Sequence, residues 1–303
     1  MMPSRFLVPL LLLLLLACSD SGQQPAARTQ TKPAVYTVNY PLQYFARRVG
    51  GDLVEVRFPA PAGEDPAYWE PDAATIRQYQ QADLILLNGA GYAKWVARAT
   101  LPDSRMVDTS AAFRERLIEI KDVVTHSHGP GGKHTHGGTA YTTWLDPLLA
   151  GVQAQAVAEA FKKLLPADAA AIERNLAGLR KDLESIDAAL KQAIGDRNDT
   201  PLLGSHPVYQ YLARAYNLNL KQVHWEPDEM PPAGEWRKLD ALLRRHKAQW
   251  MIWEAPPSAG IASELEQHGI RCSVFYTLGN APDAGDYLSV MLENAERLGP
   301  VYR

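Results

Sequence analysis

The feature that most restricts the fold of this chain is a central helical stretch with few breakers, at residues 146–165 and 166–194. In its second part, apolar residues recur every three or four positions and so form one stripe along a helix: Ile172, Leu176, Leu179, Leu183, Ile186 and Leu190. Pro166 suits the first turn of this helix, and Gly195 suits the position after its end. A helix of about 28 residues, at ~1.5 Å per residue, would be about 42 Å long. It could therefore brace two lobes.

Short apolar segments alternate with helical segments on both sides of this stretch. Before it, the pattern predicts strands at 35–39, 54–58, 84–87 and 105–108, with helices at 41–49 and 72–81. After it, the pattern predicts strands at 201–204, 220–224, 249–253 and 272–275, with helices at 207–216, 235–246, 258–268 and 286–298. The prediction is an α/β fold of two lobes with parallel sheets, bridged by a long helix. Ligands of such folds bind beyond the carboxyl ends of the strands, so we expect the site in the cleft between the lobes.

The same pattern divides the 303 residues into segments. We expect a signal peptide at 1–18, a flexible tether at 19–33, an N-terminal lobe at 34–145, a helical linker at 146–195 and a C-terminal lobe at 196–303. The hydrophobic content of 46 % is ordinary for a globular protein with a real core. A net charge of −3 gives no electrostatic reason to expect nucleic acid or an anionic membrane face as a partner.

The N-terminus predicts export. Arg5 precedes an apolar run from Phe6 to Leu16 that is too short to span a bilayer and is typical of a signal peptide. Ala17 and Cys18 close the run and resemble a bacterial lipobox, so we expect Cys18 to carry lipid and anchor the protein in the periplasm or cell envelope. The alternative is an ordinary cleavable signal with a chance cysteine. If Cys18 is lipidated, Cys272 has no partner, and we expect a buried thiol without a disulfide.

A cluster of histidines is the clearest chemical signal. His126, His128, His134 and His136 are half of the eight histidines and fall within eleven residues. The segment at 125–138 is rich in glycine, which predicts a mobile loop. Neutral imidazole is a common zinc ligand, and two His-x-His pairs on such a loop could wrap one ion. The alternative is a soluble loop with weak, adventitious metal affinity.

Two further candidates follow predicted strands. His206 comes after the strand at 201–204 and Glu254 after the strand at 249–253, so both side chains should reach the cleft. His206 could instead be a structural residue at a helix start. Glu254 could bind metal directly or could accept a hydrogen bond from a ligating histidine. Three more carboxylates, Glu64, Asp65 and Glu70, are weaker candidates and are more typical of a solvated surface.

Several motifs together are similar to those of the zinc/manganese solute-binding proteins of ABC importers. They are residues 63–71, 82–89, 144–147, 205–211 and 229–232, with Trp95, Glu254, Asp286, Tyr287, Met291 and Asn294. The resemblance runs from Val35 to Leu298, and the His-rich loop lies where zinc-specific members carry theirs. It implies a monomeric, lipid-anchored receptor, not an enzyme, that carries Zn²⁺ as cargo. It also implies an ABC permease and its ATPase as partners.

The chain departs from this family at most of the expected ligands. The family usually has histidine where this chain has Ala67 and Thr142, and aspartate where it has Tyr276; His206 alone keeps its type. Either the His-rich loop supplies the missing ligands around His206, or the cleft binds no bare metal.

Two other functions stay open on the residues alone. A zinc hydrolase could use a His-x-His pair with His206, Glu254 and a water molecule. A periplasmic metal chaperone or sensor would need no importer. The histidine content favours zinc, copper or nickel over manganese or magnesium, and zinc is favoured by the resemblance.

Overall fold

The computed structural model describes residues 31–127 and 133–303, and for residues 121–127 and 133–137 it describes the backbone alone. The predicted signal peptide, Cys18, most of the tether and His128 lie outside the described residues. Along the ranges that are described, no helix is both long and apolar enough to cross a membrane.

The first lobe is built on a sheet of parallel strands. Its strands are β1 (Ala34–Thr37), β2 (Glu55–Arg57), β3 (Leu84–Leu87) and β4 (Met106–Asp108), in the order β2-β1-β3-β4. Helices α1 (Tyr40–Gly50) and α2 (Ala73–Gln81) connect them. Each helix starts at a side chain that accepts a backbone N–H, Asn39 for α1 and Asp72 for α2, as sequence patterns of helix starts predict.

The His-rich segment differs from its prediction. Strands β5 (Glu119–Ser127) and β6 (Lys133–Thr139) form an antiparallel hairpin in which His126 pairs with His134 and Val124 with His136. The prediction of a loop over 125–138 is therefore wrong for the parts of it that lie in β5 and β6. Three of the five glycines that suggested a loop lie at 129–132, between the two strands in sequence, and β-branched residues flank that segment.

The central stretch forms two helices, α3 (Pro147–Leu164) and α4 (Ala169–Ile194). Asp146 caps α3, since its Oδ1 accepts the backbone N–H of Leu148 at 2.9 Å. The prediction that α4 starts at Pro166 is wrong by three residues, because residues 166–168 form a separate 3₁₀ turn. Gly195 ends α4 at a φ of 57°, a conformation that favours glycine. With 26 residues, α4 is about 39 Å long.

The second lobe repeats the parallel arrangement. Its strands are β7 (Leu202–Gly204), β8 (Leu220–Gln222), β9 (Trp250–Trp253) and β10 (Arg271–Val274), in the order β10-β9-β7-β8. The helices are α5 (Gln210–Tyr216), α6 (Ala233–Leu243), α7 (Ala259–Gln267) and α8 (Tyr287–Leu298). The predicted fold class, two lobes with parallel sheets bridged by a long helix, is confirmed. All eight predicted strands are present with ends that move by at most two residues.

A continuous hydrophobic core joins the two lobes in the described part of the chain. It includes Val35 and Ile85 of the first sheet, Leu202 and Ile252 of the second, and the whole predicted stripe of α4. A smaller cluster on the second lobe includes Met251 and Trp253, and the free thiol of Cys272 packs half-buried against it. Since α4 packs against α1, α3 and α8, the bridging helix is part of this core.

Truncation of the α4 stripe should therefore destabilise the whole protein. Leu179 is fully buried, so Leu179→Ala is expected to lower the free energy of unfolding by about 2–5 kcal/mol through lost burial and a cavity. Glu184→Ala, on the exposed face of the same helix, should change it by no more than about 0.5 kcal/mol. Denaturant unfolding of both variants checks this. Equal changes in the free energy of unfolding of the two variants would mean that the apolar stripe of α4 does not contribute to the stability of the core.

Candidate metal-binding cleft

The two lobes meet through loops at the carboxyl ends of their strands. The Asn280 side chain, in the loop after β10, donates to the backbone oxygens of Pro61 at 2.7 Å and Glu64 at 2.8 Å, in the loop after β2. Trp144 Nε1, just before α3, donates to the backbone oxygen of Thr277 at 2.6 Å. These bonds close the cleft on the side where ligands of parallel sheets bind.

His206 lies in this cleft, two residues beyond the end of β7. Its side chain is only 7 % exposed. Its Nδ1 lies 3.0 Å from Glu226 Oε1 and 4.0 Å from Glu254 Oε1. Burial lowers the pKa of His206, but contact with Glu226 and the negative charges of Glu254, Glu226 and Asp65 outweigh it, so the pKa is raised above its ordinary value. The electrostatic potential around this imidazole is therefore negative.

Glu254 follows β9 and reaches the same cleft. Burial, and secondarily the charges of Asp65 and Glu226, raise its pKa to about 7, while His206 opposes the shift. Thr277 Oγ1 lies 3.5 Å from its Oε2, a long hydrogen bond. The ionised form of Glu254 is therefore disfavoured in the fold, and a nearby positive charge would stabilise it.

His224 and Glu226 were missed by the sequence analysis. After β8 ends, Val223 N donates to Gly204 O at 2.9 Å and Trp225 N donates to Ser205 O at 2.7 Å, so the pairing with β7 continues past the strand. The His224 ring thereby lies 5.9 Å from the His206 ring. The available signal was that His224 ends a predicted strand, at the same sheet edge as His206.

The positions at which the related family carries its other ligands hold none here. Ala67 is buried and has no donor side chain. Thr142 Oγ1 donates to the backbone oxygen of Val208 at 2.5 Å. The Tyr276 ring lies under the Arg297 guanidinium, with 5.1 Å to the ring centroid. Among the described residues, no group of three or more His, Cys, Asp or Glu is arranged to hold a metal ion.

The three weaker carboxylate candidates have different surroundings. Glu70 forms an exposed ion pair with Arg98 and so belongs to the surface. Glu64 contributes its backbone oxygen to Asn280. Asp65 accepts the backbone N–H of Ala67 at 2.9 Å, and its charge acts on both His206 and Glu254. Of the three carboxylates, Asp65 is therefore the one whose charge acts on the candidate ligands in the cleft.

The root of the His-rich hairpin lies beside the cleft. Ala140, just after β6, donates its N–H to Ile118 O at 2.8 Å, and its own oxygen accepts the Tyr211 hydroxyl at 2.9 Å. Thr142 then contacts Val208, two residues from His206. The hairpin that carries the backbones of His126, His134 and His136 thus starts next to the second lobe's candidate ligand.

The raised pKa of Glu254 predicts how stability depends on pH without metal. Since the folded-state pKa is about 7 against an ordinary 4.5, the protonated form favours folding, and this stability is lost as pH rises from about 4.5 through about 7. The full shift is about 3 kcal/mol, but the side chain is 32 % exposed, and solvent screening reduces it to roughly 1–2 kcal/mol. Glu254→Gln should therefore stabilise the metal-free protein at pH 8 by about that amount and not at pH 4.5.

Chemical denaturation of the metal-free protein across this pH range measures the effect. Glu266→Gln, an exposed residue of α7, is the matched control and should leave the pH profile unchanged. A Glu254→Gln profile parallel to that of the wild type would show that Glu254 is not destabilised in the fold.

Two parallel-sheet lobes around a cleft, braced by long helices, with a histidine and carboxylates at the strand ends, define the class of solute-binding proteins. The family model described as "ZnuA: Zinc-uptake complex component A periplasmic" matches residues 35–299. The chain belongs to the ZnuA family.

Curated relatives agree with this membership. The chain is similar to the zinc-binding lipoprotein AdcA of Streptococcus pneumoniae, with 26 % identity over 97 % of this chain and 60 % of that protein. It is also similar to the high-affinity zinc uptake system protein ZnuA of Bacillus subtilis, with 26 % identity over 97 % of this chain and 95 % of that protein. The chain thus spans 60 % of the length of AdcA.

Solved structures show the same fold. The Zn(II)-bound ZnuA-like domain of Streptococcus pneumoniae AdcA aligns with a TM-score of 0.76 and 21 % identity over 90 % of this chain and 99 % of that domain. A crystal structure of ZnuA aligns with a TM-score of 0.71 and 22 % identity over 90 % of this chain and all of that one.

Proposed function

We propose that this chain is an extracytoplasmic receptor that captures Zn²⁺ in the cleft between its lobes and delivers it to an ABC import permease and its ATPase. The observation that carries the proposal is the buried His206 at the carboxyl end of β7, with Glu226 and Glu254 within 4.0 Å of its Nδ1, in a chain that matches a zinc-uptake family. A buried imidazole in an electronegative cleft suits a divalent cation.

The proposed ligands are His206 and Glu254 from the cleft and imidazoles of His126, His128, His134 and His136 from the hairpin. A closed zinc site takes about four ligands, and the described cleft lacks the two family histidines at Ala67 and Thr142. The hairpin root beside Tyr211 supports this set, because it brings the His-rich segment to the cleft from the side of His206. At ~3.3 Å per residue, the six steps along the chain from Thr142 back to His136 can span about 20 Å.

Zinc is the favoured cargo on two grounds. Imidazole with one carboxylate suits zinc, copper or nickel better than manganese or magnesium. The names of the AdcA and ZnuA relatives refer to zinc. A competition series with these ions would rank them, and preference for manganese would count against a histidine-based site.

An enzymatic role is disfavoured. A hydrolase needs a metal-bound water and a fixed general base, and in this proposal the hairpin imidazoles fill the positions that a catalytic site keeps open. A chaperone or sensor without an importer is disfavoured by membership in a family of uptake components. Turnover of ester or amide substrates by the zinc-loaded protein would favour the hydrolase.

We also propose a lipid anchor on Cys18, with a signal peptide at 1–18 and a tether at 19–33 that leaves the receptor, a monomer, in the periplasm or cell envelope. Support comes from the lipobox-like sequence and from AdcA, which is named a lipoprotein. The lobes would comprise 34–145 and 196–303, with 146–195 as the linker. Mass spectrometry of the native N-terminus should find an acylated Cys18, and an unmodified start at a later residue would contradict the anchor.

Titration of metal-free protein with zinc against a chelator of known affinity tests the receptor function. We expect one tightly bound ion per chain. Binding no tighter than that of a synthetic peptide of residues 119–139 would contradict the proposal, because the cleft would then contribute nothing.

A further inference from the structure

We propose that residues 140–144, called here the interlobe strap, hold the two lobes at one separation whether or not a metal ion is bound. Thr142 in the strap and Tyr211 in α5 are its positioning residues. The strap follows β6 and precedes α3. Its effect on zinc binding rests on the proposed function, but its bonds to the two lobes stand without it.

The Tyr211 hydroxyl fastens both ends of the hairpin to α5 of the second lobe. It accepts the backbone N–H of Ile118, one residue before β5, at 3.2 Å, and it donates to the backbone oxygen of Ala140, one residue after β6, at 2.9 Å. A hydroxyl can donate and accept at once, so both bonds can be made together. The Tyr211 side chain is fully buried, and the Arg214 guanidinium lies 4.9 Å from its ring centroid. One side chain of the second lobe therefore holds the start of the strap.

Thr142 makes the next bond to the second lobe. It is 4 % exposed, and its Oγ1 donates at 2.5 Å to the backbone oxygen of Val208, two residues after His206. The related family usually has a histidine at this position, where a bound ion would connect the two sides of the cleft. In this chain a hydrogen bond between protein groups makes that connection without an ion.

The intervening residues of the strap bond to the first lobe and to α3. Asn88, which follows β3, donates from Nδ2 to the backbone oxygen of Tyr141 at 2.9 Å. Thr143 Oγ1 donates to Gln153 Oε1 of α3 at 3.1 Å, and Gln153 Nε2 donates to Thr109 Oγ1, just after β4, at 2.9 Å. These polar side chains are all buried. Breaking one of their bonds would leave a buried polar group unpaired, so the network resists a shift of the strap.

The alternation continues at Trp144, whose Nε1 donates to the backbone oxygen of Thr277 in the second lobe at 2.6 Å. Adjacent strap residues thus bond in opposite directions, and buried hydrogen bonds must break before the cleft can widen. The proposed cleft ligands His206 and Glu254 both belong to the second lobe, and Tyr211 fastens the hairpin to the same lobe. An ion bound by these groups therefore need not draw the two sheets together.

The first test measures the separation of the lobes by double electron–electron resonance. Spin labels are carried by unnatural amino acids at Gln78 of α2 and Glu266 of α7, which are both exposed. We expect one narrow distance distribution in the metal-free wild type and the same distribution after addition of zinc. Thr142→Val and Tyr211→Phe, which remove a hydroxyl, should each broaden the metal-free distribution, and the double variant should broaden it further. Thr142→Ser keeps the hydroxyl and should match the wild type.

The matched controls remove buried hydroxyls whose bonds lie within the first lobe. Tyr79 donates its hydroxyl to the backbone oxygen of Thr37 at 2.8 Å, and Thr37 Oγ1 donates to Asn39 O at 3.2 Å. Tyr79→Phe and Thr37→Val should lower the unfolding temperature by about 2–4 °C, as loss of one hydrogen bond does in a chain of this size, and should leave the distance distribution unchanged. A wild-type distribution that shortens when zinc is added, or a double variant that matches the wild type, would overturn the proposal.

The second test measures zinc affinity in the same variants. Thr142→Val and Tyr211→Phe should each weaken binding roughly 3- to 10-fold, because the ion must then order groups that the strap no longer holds. Thr142→Ser and the two controls should bind as the wild type does. Wild-type affinity in the double variant would exclude a positioning role for these hydroxyls. If the wild type itself binds no zinc, the proposed function fails, and the distances in the metal-free variants still decide whether the strap holds the lobes.

Discussion

Replacement of His126, His128, His134 and His136 together by glutamine is expected to weaken zinc binding by at least about 100-fold. Structural zinc sites with about four ligands bind with roughly 10–16 kcal/mol, or about 3 kcal/mol per ligand, which is about 100-fold each. The described cleft offers His206 and Glu254 as proposed ligands, so the hairpin must provide at least one imidazole and should provide two. Competition titration with a chelator measures the loss.

Glutamine keeps the polarity and approximate size of the side chains, so the hairpin should persist. The control is His268→Gln, which removes a histidine of the second lobe that is paired with Asp240. It should leave affinity unchanged. Tight one-to-one binding by the quadruple variant would mean that the cleft holds other ligands and that the His-rich segment only scavenges ions.

The second large effect is expected from His206→Ala. This change removes the one ligand type shared with the family and should also cost about 100-fold in zinc affinity, by the same free energy per ligand. In the metal-free protein, the charged imidazole is stabilised by Glu226, Glu254 and Asp65, which raise the pKa of His206 above its ordinary 6.5. This stabilisation is fully present below about pH 6.5 and is lost as pH rises through the folded-state pKa. Metal-free stability should therefore fall more at pH 5 than at pH 8.

Thermal unfolding at both pH values separates the two effects of His206→Ala. His268→Gln again serves as the control, because it alters a histidine–carboxylate pair of the same lobe. Affinity that stays within a few-fold of wild type, in a variant that is still folded, would exclude His206 as a ligand.

The framework of the fold could be predicted because short apolar runs and a 3.6-residue stripe are strong local signals. Leu84–Leu87 is apolar throughout because β3 is buried on both faces, and the α4 stripe is buried as a whole. The hairpin was missed because glycine content outweighed the β-branched residues on either side of it. The start of α4 was misplaced because proline is compatible with both a first helical turn and a preceding 3₁₀ turn.

The candidate site could be predicted only in part. His206 and Glu254 were found because each directly follows a predicted strand. Glu226 was not, because its approach to His206 depends on β8 lying next to β7, and strand order is not visible in one sequence. The pairing of Trp225 with Ser205, which brings Glu226 to the imidazole, continues beyond the end of the strand.

Ala67 and Thr142 stand where the family usually has histidines, so two imidazoles are missing from the first lobe's side of the cleft. Thr142 uses its hydroxyl to tie the segment after the hairpin to Val208. Burial, and then the charge of Asp65, raise the pKa values of nearby Tyr92 and Tyr141 far above their ordinary range, so these phenols stay neutral. The first lobe therefore carries buried neutral phenols and one carboxylate near the two positions at which the family usually carries imidazoles.

The most direct measurement is a crystal structure of the zinc-loaded protein with anomalous data at the zinc edge. We predict one strong peak in the cleft, about 2.0–2.1 Å from a ring nitrogen of His206, with Glu254 and imidazoles of the His-rich segment completing the coordination. A fully occupied peak coordinated only by the His-rich segment, with His206 remote from the ion, would contradict the account.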